Sequence, residues 1–122
     1  VYVKACKFYR RQLAGISEYA GWFFHAYGYD KGSSQRRIDA LRIIKEREEA
    51  KGRKITLPGL DDAPKLSVLG TKIWGLYHEI KRSCEHVGII EIHAYINAYQ
   101  VSLTPFEVDA LIEIDYRRRV SD

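Results

Sequence analysis

Apolar side chains recur along this chain at three- and four-residue steps in five stretches, separated by short segments rich in Gly, Pro, Ser and Asp. That period puts one face of a helix against a core. It predicts an all-α fold, a bundle of about five helices in a single domain covering residues 1–122. The first stretch runs from about Val3 to Tyr27, with Tyr9, Leu13, Ile16, Ala20, Phe23 and Tyr27 on one stripe. Gly15 and Gly21 interrupt it at roughly 1 kcal/mol each in a helix interior, so one of them is expected to be a kink or a close packing point. The second stretch starts at Ser33 or Ser34, both good caps, and runs to about Lys51 with Ile38, Leu41, Ile43 and Ile44 at helical spacing. Gly52 terminates it, and a loop to Pro64 follows, with Pro58-Gly59 as its turn.

The third stretch carries the longest seam. Leu66, Leu69, Ile73, Leu76, Ile80, Cys84 and Val87 form one stripe over about six turns, expected to be the central helix on which the first and fifth pack. Asp62 is placed to cap it, Pro64 falls in its first turn and Gly88 closes it. A short fourth helix spans Ile89 to Tyr99, with Ile92, Tyr95, Ile96 and Tyr99 apolar. The fifth opens at Leu103-Thr104-Pro105-Phe106-Glu107-Val108, where every start signal coincides: a Thr cap, Pro at the first helical position, Glu three residues after the cap, and Leu103 and Val108 as a hydrophobic staple. Only Lys54-Ile55-Thr56-Leu57 has any strand character. No internal repeat or low-complexity tract is present.

Composition narrows the class. An apolar content of 46% is enough to build a core and excludes wholesale disorder. No apolar run reaches the ~18 residues of a membrane span, and Lys4, Lys7, Arg10 and Arg11 interrupt any leader-like segment. Two widely separated cysteines, Cys6 and Cys84, suit free thiols in a reducing compartment, so a cytoplasmic location is expected. The net charge of +4 is unevenly spread: residues 1–54 hold thirteen basic and six acidic groups, residues 89–122 three and six. Such asymmetry attracts an acidic partner or lets copies of the chain self-associate head to tail.

Chemical motifs are scarce. His78, Cys84, His86 and His93 are metal-ligand types at irregular spacing, and neither a metal nor another cofactor is expected; His86 is the histidine placed to respond to pH. Glu107, Asp109, Glu113 and Asp115 line the last helix and read as a solvated acidic face. There is no phosphate-binding loop, dinucleotide fingerprint, nucleophile elbow or zinc-protease motif, so no catalytic residues are assigned and an enzyme is disfavoured. Helices four and five are arranged as a helix–turn–helix, but residues 105–116 carry four acidic and no basic groups, which DNA phosphates would repel. Nucleic acid, if bound, falls to the basic surface of Arg36, Arg37, Arg42, Lys45 and Arg47, with Tyr9, Arg10 and Arg11 suited to stacking on a single strand. Trp22, Phe23 and Phe24 point about 100° apart, so one ring at least should face away from the local core. Trp22, Phe24, Tyr27 and Tyr29 are therefore the candidate partner-binding residues.

One stretch resembles a known family. Trp74 with Tyr77 and Ile80, Gly88-Ile89, Leu103-Thr104-Pro105 with Glu107, Ala110-Leu111-Ile112 and Asp115-Tyr116-Arg117 are similar to small helical proteins of tailed-phage tail modules, of the tail assembly chaperone type. The resemblance covers residues 74–119, under half of the chain. It implies a non-enzymatic, cytoplasmic assembly factor that binds other tail components, such as the tape-measure protein or tail tube subunits. The expected function is thus protein–protein assembly. The alternatives are a small basic nucleic-acid-binding protein, and a phage-encoded inhibitor that blocks a host nucleic-acid enzyme with its acidic last helix.

Overall fold

A computed structural model describes residues 2–121, with side chains described from residue 7 onward. The readings placed on Val3, Lys4 and Cys6 fall outside the described side chains. The fold is all-α, with α1 (Tyr2–Ala26), α2 (Arg37–Ala50), α3 (Val68–Lys81), α4 (Ile89–Tyr99) and α5 (Pro105–Val120). Among the described residues there is no strand: residues 54–57 are irregular, and an isolated bridge pairs Tyr29 with Arg36.

The core is a parallel trio. Along α1 and α5, Tyr9 stacks on Phe106, Ser17 bonds Glu113 and Gly21 faces Arg117, in the same order on both helices. Along α1 and α3, Gln12 meets Ser67, Ile16 meets Gly70, Phe23 packs on Trp74 and Phe24 on Tyr77, again in the same order. Ile16, Ala20, Ile73, Tyr77, Ala110, Leu111 and Ile114 fill the space between them. The α1–α5 pairing is the most extensive in the molecule. The long seam of the third stretch was expected to be central, and instead α3 lies against that pair. Gly21 faces the Arg117 guanidinium, but a Cβ there would stand an ordinary 3.4 Å from it, so the close packing point expected at Gly15 or Gly21 is required at neither. Gly15 meets nothing.

Parallel helices put three C-termini at one end. Lys81 in the last turn of α3 and Arg117, Arg118 and Arg119 in that of α5 complement the negative pole there. The chain must also return twice to the other end, and α2 and α4 lie in those return segments.

Local chemistry sets the boundaries. The α5 start is as its sequence predicts: Thr104 Oγ1 accepts from the Glu107 N–H at 3.2 Å and Glu107 accepts from the Thr104 N–H at 3.1 Å. Two other starts differ. Ser67, not Asp62, caps α3 by accepting from the Gly70 N–H. Ser33 Oγ accepts from the Gln35 N–H inside a closed loop, which delays α2 until Arg37, whose own N–H donates to Gly28 O. The third helix is also shorter than its seam. After Lys81 the N–H groups of Ser83 and Cys84 turn back three residues to Ile80 and Lys81, and Arg118 takes the Glu85 carbonyl at 3.1 Å. Val87 still reaches the core, but from a loop.

The acidic face of α5 is not solvated as expected. Glu107 serves the cap, Glu113 accepts from Ser17 at 2.8 Å, and Asp115 is 1% exposed. Asp115 Oδ1 accepts from the Tyr77 hydroxyl at 2.8 Å and from Arg118 Nε at 3.2 Å. Its Oδ2 makes no hydrogen bond but lies 3.3 Å from Arg119 Nε. Of the four carboxylates, Asp109 alone is exposed without a partner among the described residues. A buried carboxylate held this way ties α3, α5 and the loop after α3 together. Asp115→Ala leaves the Tyr77 hydroxyl without its acceptor and the Arg118 charge without its buried carboxylate, so denaturant melts should show a loss of about 3 kcal/mol. Tyr77→Phe leaves Arg118 on the carboxylate and should lose about 1 kcal/mol.

Candidate functional site

The C-terminal half of α1 and the middle of α3 build a wall of rings. Trp74 packs edge-on against Tyr19 and Phe23, each at 4.9 Å between centroids, and Phe23 stacks on Tyr27 at 4.4 Å. His78 lies on the Trp74 ring at 4.9 Å, and burial against this wall lowers its pKa below the usual imidazole value. Phe24 faces Trp74 and Tyr77 on the core side.

Trp22 alone among the consecutive rings turns toward α2. Its indole N–H donates to the Gly59 carbonyl at 2.8 Å. Gly59 is in the left-handed region, φ 87°, at the Pro58-Gly59 turn read from sequence. Asp61 holds that turn in place by accepting from the Leu57 N–H at 2.8 Å and pairing with Lys45 of α2. Between α1, α2 and this turn lies a recess of about 320 Å³, lined by Trp22, His25, Ala26, Ala40, Leu41, Pro58 and Gly59, with Asp30 and Arg37 at one edge.

Arg37 is a strut in that edge. Its guanidinium donates to Asp30 Oδ1 at 2.9 Å, to His25 O at 2.7 Å and to Tyr29 O at 3.1 Å. Gly28 is required beneath it, because a Cβ there would stand 2.7 Å from Arg37 Nη1. The strut fixes the turn after α1 against the first turn of α2, and leaves the recess mostly apolar.

The four residues expected to bind a partner therefore separate. Trp22 lines the recess and Phe24 packs against the core. Tyr27 and the exposed Tyr29 share Arg36, whose guanidinium lies 5.9 and 5.7 Å from their ring centres and donates to the Tyr29 hydroxyl. The five basic residues are mostly occupied as well. Arg36 sits on the two tyrosines, Arg37 is the strut, Arg42 pairs with Asp39 at 3.5 Å and Lys45 with Asp61. Arg47 is the one of the five with no polar partner among the described residues. His25 and Leu41 line the recess and Asp115 is buried, placements that the sequence pattern does not show. Among the described residues no group of three or more His, Cys, Asp or Glu could hold a metal ion, and no helix is long and apolar enough to cross a membrane.

Comparison with protein-family models, with curated proteins and with solved structures gives no match to the chain.

The ring wall has a measurable signature. Burial, and then the Asp115 carboxylate, push the Tyr77 phenol far above its ordinary value of 10.0, while burial raises Tyr19. A folded pKa above the unfolded one stabilises fully below pH 10.0, and that contribution is lost as pH rises past it. Near-ultraviolet titration of the nine tyrosines should therefore show one phenol that ionises only as the chain unfolds in alkali. That phenol should be missing in Tyr77→Phe.

Proposed function

We propose that this chain is a non-enzymatic protein-binding factor of the assembly type that the tail-module resemblance implies. It holds an apolar side chain of its partner in the Trp22 recess. The observation that carries this reading is the way the recess is built. Three separate elements converge on it and its polar edge is already satisfied. Its free surface is a Trp face, the His25 side chain, Leu41, Pro58 and small residues. Pre-formed apolar recesses with an aromatic wall are where interface energy concentrates. The ionisable groups at the edge, Asp30 and Arg37, are engaged in holding the loop. The uneven charge of the chain brings an acidic partner to the α2 side and raises the encounter rate more than the affinity.

The carboxylate pairing along α2 favours this reading over nucleic-acid binding, since phosphate would have to displace Asp39 and Asp61 from Arg42 and Lys45. The two separate in a binding experiment with tape-measure and tail tube proteins on one side and single-stranded oligonucleotides on the other. The expected result is a protein complex that persists at about 0.5 M salt and weakens at least about tenfold in Leu41→Asp, which removes about 1.4 kcal/mol or more. Binding to oligonucleotide that falls steeply with salt and is lost in Arg42→Glu plus Arg47→Glu would overturn it. Trp22→Phe keeps an aromatic wall, though a smaller one, and loses the bond to Gly59, so it controls for a variant that merely loosens the turn.

A further inference from the structure

α2 turns two of its three isoleucines away from the core. Ile38 is buried outright, whereas Ile43 and Ile44 are 37% and 46% exposed. At about 100° per residue, Ala40, Ile43, Ile44 and Arg47 share one stripe, with the i, i+3, i+4, i+7 spacing of a face that another helix covers. The stripe begins at the recess: Ala40 and Leu41 line it, and Ile44 stands one turn further along. Cations mark the stripe and carboxylates avoid it. Arg47 lies within it and has no polar partner among the described residues, and Lys51 lies at its far end, 3.9 Å from Glu48. Asp39, Glu46 and Glu48 fall about 90° or more round the helix from its centre, and Glu49 nearly opposite. Of these, Asp39 is also held by Arg42, and Glu48 by Arg53 at 3.2 Å.

We propose that the partner segment held at the recess is an acidic amphipathic helix lying along this stripe of α2. The inference rests on the recess reading above and names what fills it. One apolar side chain of the segment enters the recess beside Leu41. Apolar side chains one turn on cover Ile44 and Ile43, and a carboxylate about two turns on meets Arg47. From Ala40 to Lys51 is about 16 Å, so a segment of about eleven residues spans the stripe. The exposed isoleucines select a helix over an extended segment. They offer no hydrogen bond to a main chain laid across them, and a helix satisfies its own N–H and C=O groups. Charge selects an acidic one, because the carboxylates beside the stripe do not neutralise Arg47. A second copy of this chain is poorly equipped to supply such a helix. In its acidic stretch, residues 89–122, Glu91 holds the Gly88 N–H, Glu107 the cap, Glu113 Ser17, and Asp115 is buried. That leaves Asp109 alone among the described residues of the stretch.

Two labelled peptides of about fifteen residues, followed by fluorescence anisotropy with the full chain, test this. One is an amphipathic helix with Leu at three- and four-residue steps flanked by Glu; the other has Lys in place of every Glu. At about 50 mM salt the Glu peptide should bind at least about tenfold tighter than the Lys peptide. Arg47→Glu should cut that preference at least about threefold. Lys72→Glu, the same change of net charge at an exposed position of α3, should cut it less. Ile44→Asp should weaken the Glu peptide at least about tenfold without moving the thermal melt, because Ile44 is 46% exposed. No binding of either peptide at about 1 mM, equal binding of the two, or an Arg47→Glu effect matched by Lys72→Glu would each overturn the proposal. So would Glu-peptide binding that Ile44→Asp leaves intact, or vesicles of phosphatidylglycerol bound through Ile44 in place of the peptide. Leu41→Asp separates the proposal from the reading beneath it. A Glu peptide lost in Leu41→Asp but kept in Ile44→Asp and Arg47→Glu retains the recess and removes the helix along α2. A Glu peptide kept in Leu41→Asp but lost in Ile44→Asp removes the recess instead.

Discussion

The carboxylate of Asp115 is the constraint on which the arrangement of helices depends. It is buried between α3 and α5, and one oxygen takes both the Tyr77 hydroxyl and Arg118. Arg118 in turn reaches the Glu85 carbonyl and His86 Nδ1 in the loop beyond α3. A buried charge is tolerated only where partners surround it; here Tyr77 of α3 and Arg118 and Arg119 of α5 do so, and Arg118 carries the link on to the loop after α3. Hydrophobic contact between α1, α3 and α5 is non-directional and would allow the helices to slide. The Tyr77–Asp115–Arg118 set allows one register, and it ends α3 by drawing the following residues across to α5.

A parallel trio has a consequence that an up-and-down bundle avoids. Each connection must carry the chain back along the length of the core, and there is limited core left to cover the connecting helices. α2 buries only Ile38 and leaves Ile43 and Ile44 exposed; α4 buries only Ile92 and leaves Ile89 and Ile90 exposed. The recess open to a partner arises there. It forms where α2 and its following turn meet α1, while the exposed Ile89 and Ile90 of α4 lie on the other return segment. On the proposed reading, partner binding falls on a connection, while the trio keeps it in position.

What could be read from the sequence was local. The start of α5 needs only Thr104, Pro105 and Glu107, so it was legible to the residue. The periodicity of α1, α3 and α4 likewise located helices and an all-α fold. The end of α3 was not legible, because Cys84 and Val87 continue the seam perfectly well and the interruption comes from Arg118, more than thirty residues on. Asp115 looked like one of four solvated carboxylates for the same reason: its partner Tyr77 is 38 residues away. Trp22 stood out by its chemistry, but what makes it a site wall is the carbonyl of Gly59, 37 residues away. Ser33 and Ser34 are good caps by type, yet the loop closed by Arg37 and Gly28 uses Ser33 for a turn. Each miss is a tertiary partner overriding a local preference.

Native-state hydrogen exchange tests most directly whether the Asp115-locked trio is the structural unit and α2 a peripheral return. The expected result is that the slowest amides of α1, α3 and α5 exchange together, at the free energy of global unfolding. Those of α2 should exchange earlier, through a local opening that leaves the trio intact. Amides of α2 as protected as those of α5, or an α3 that opens separately from α5, would contradict it.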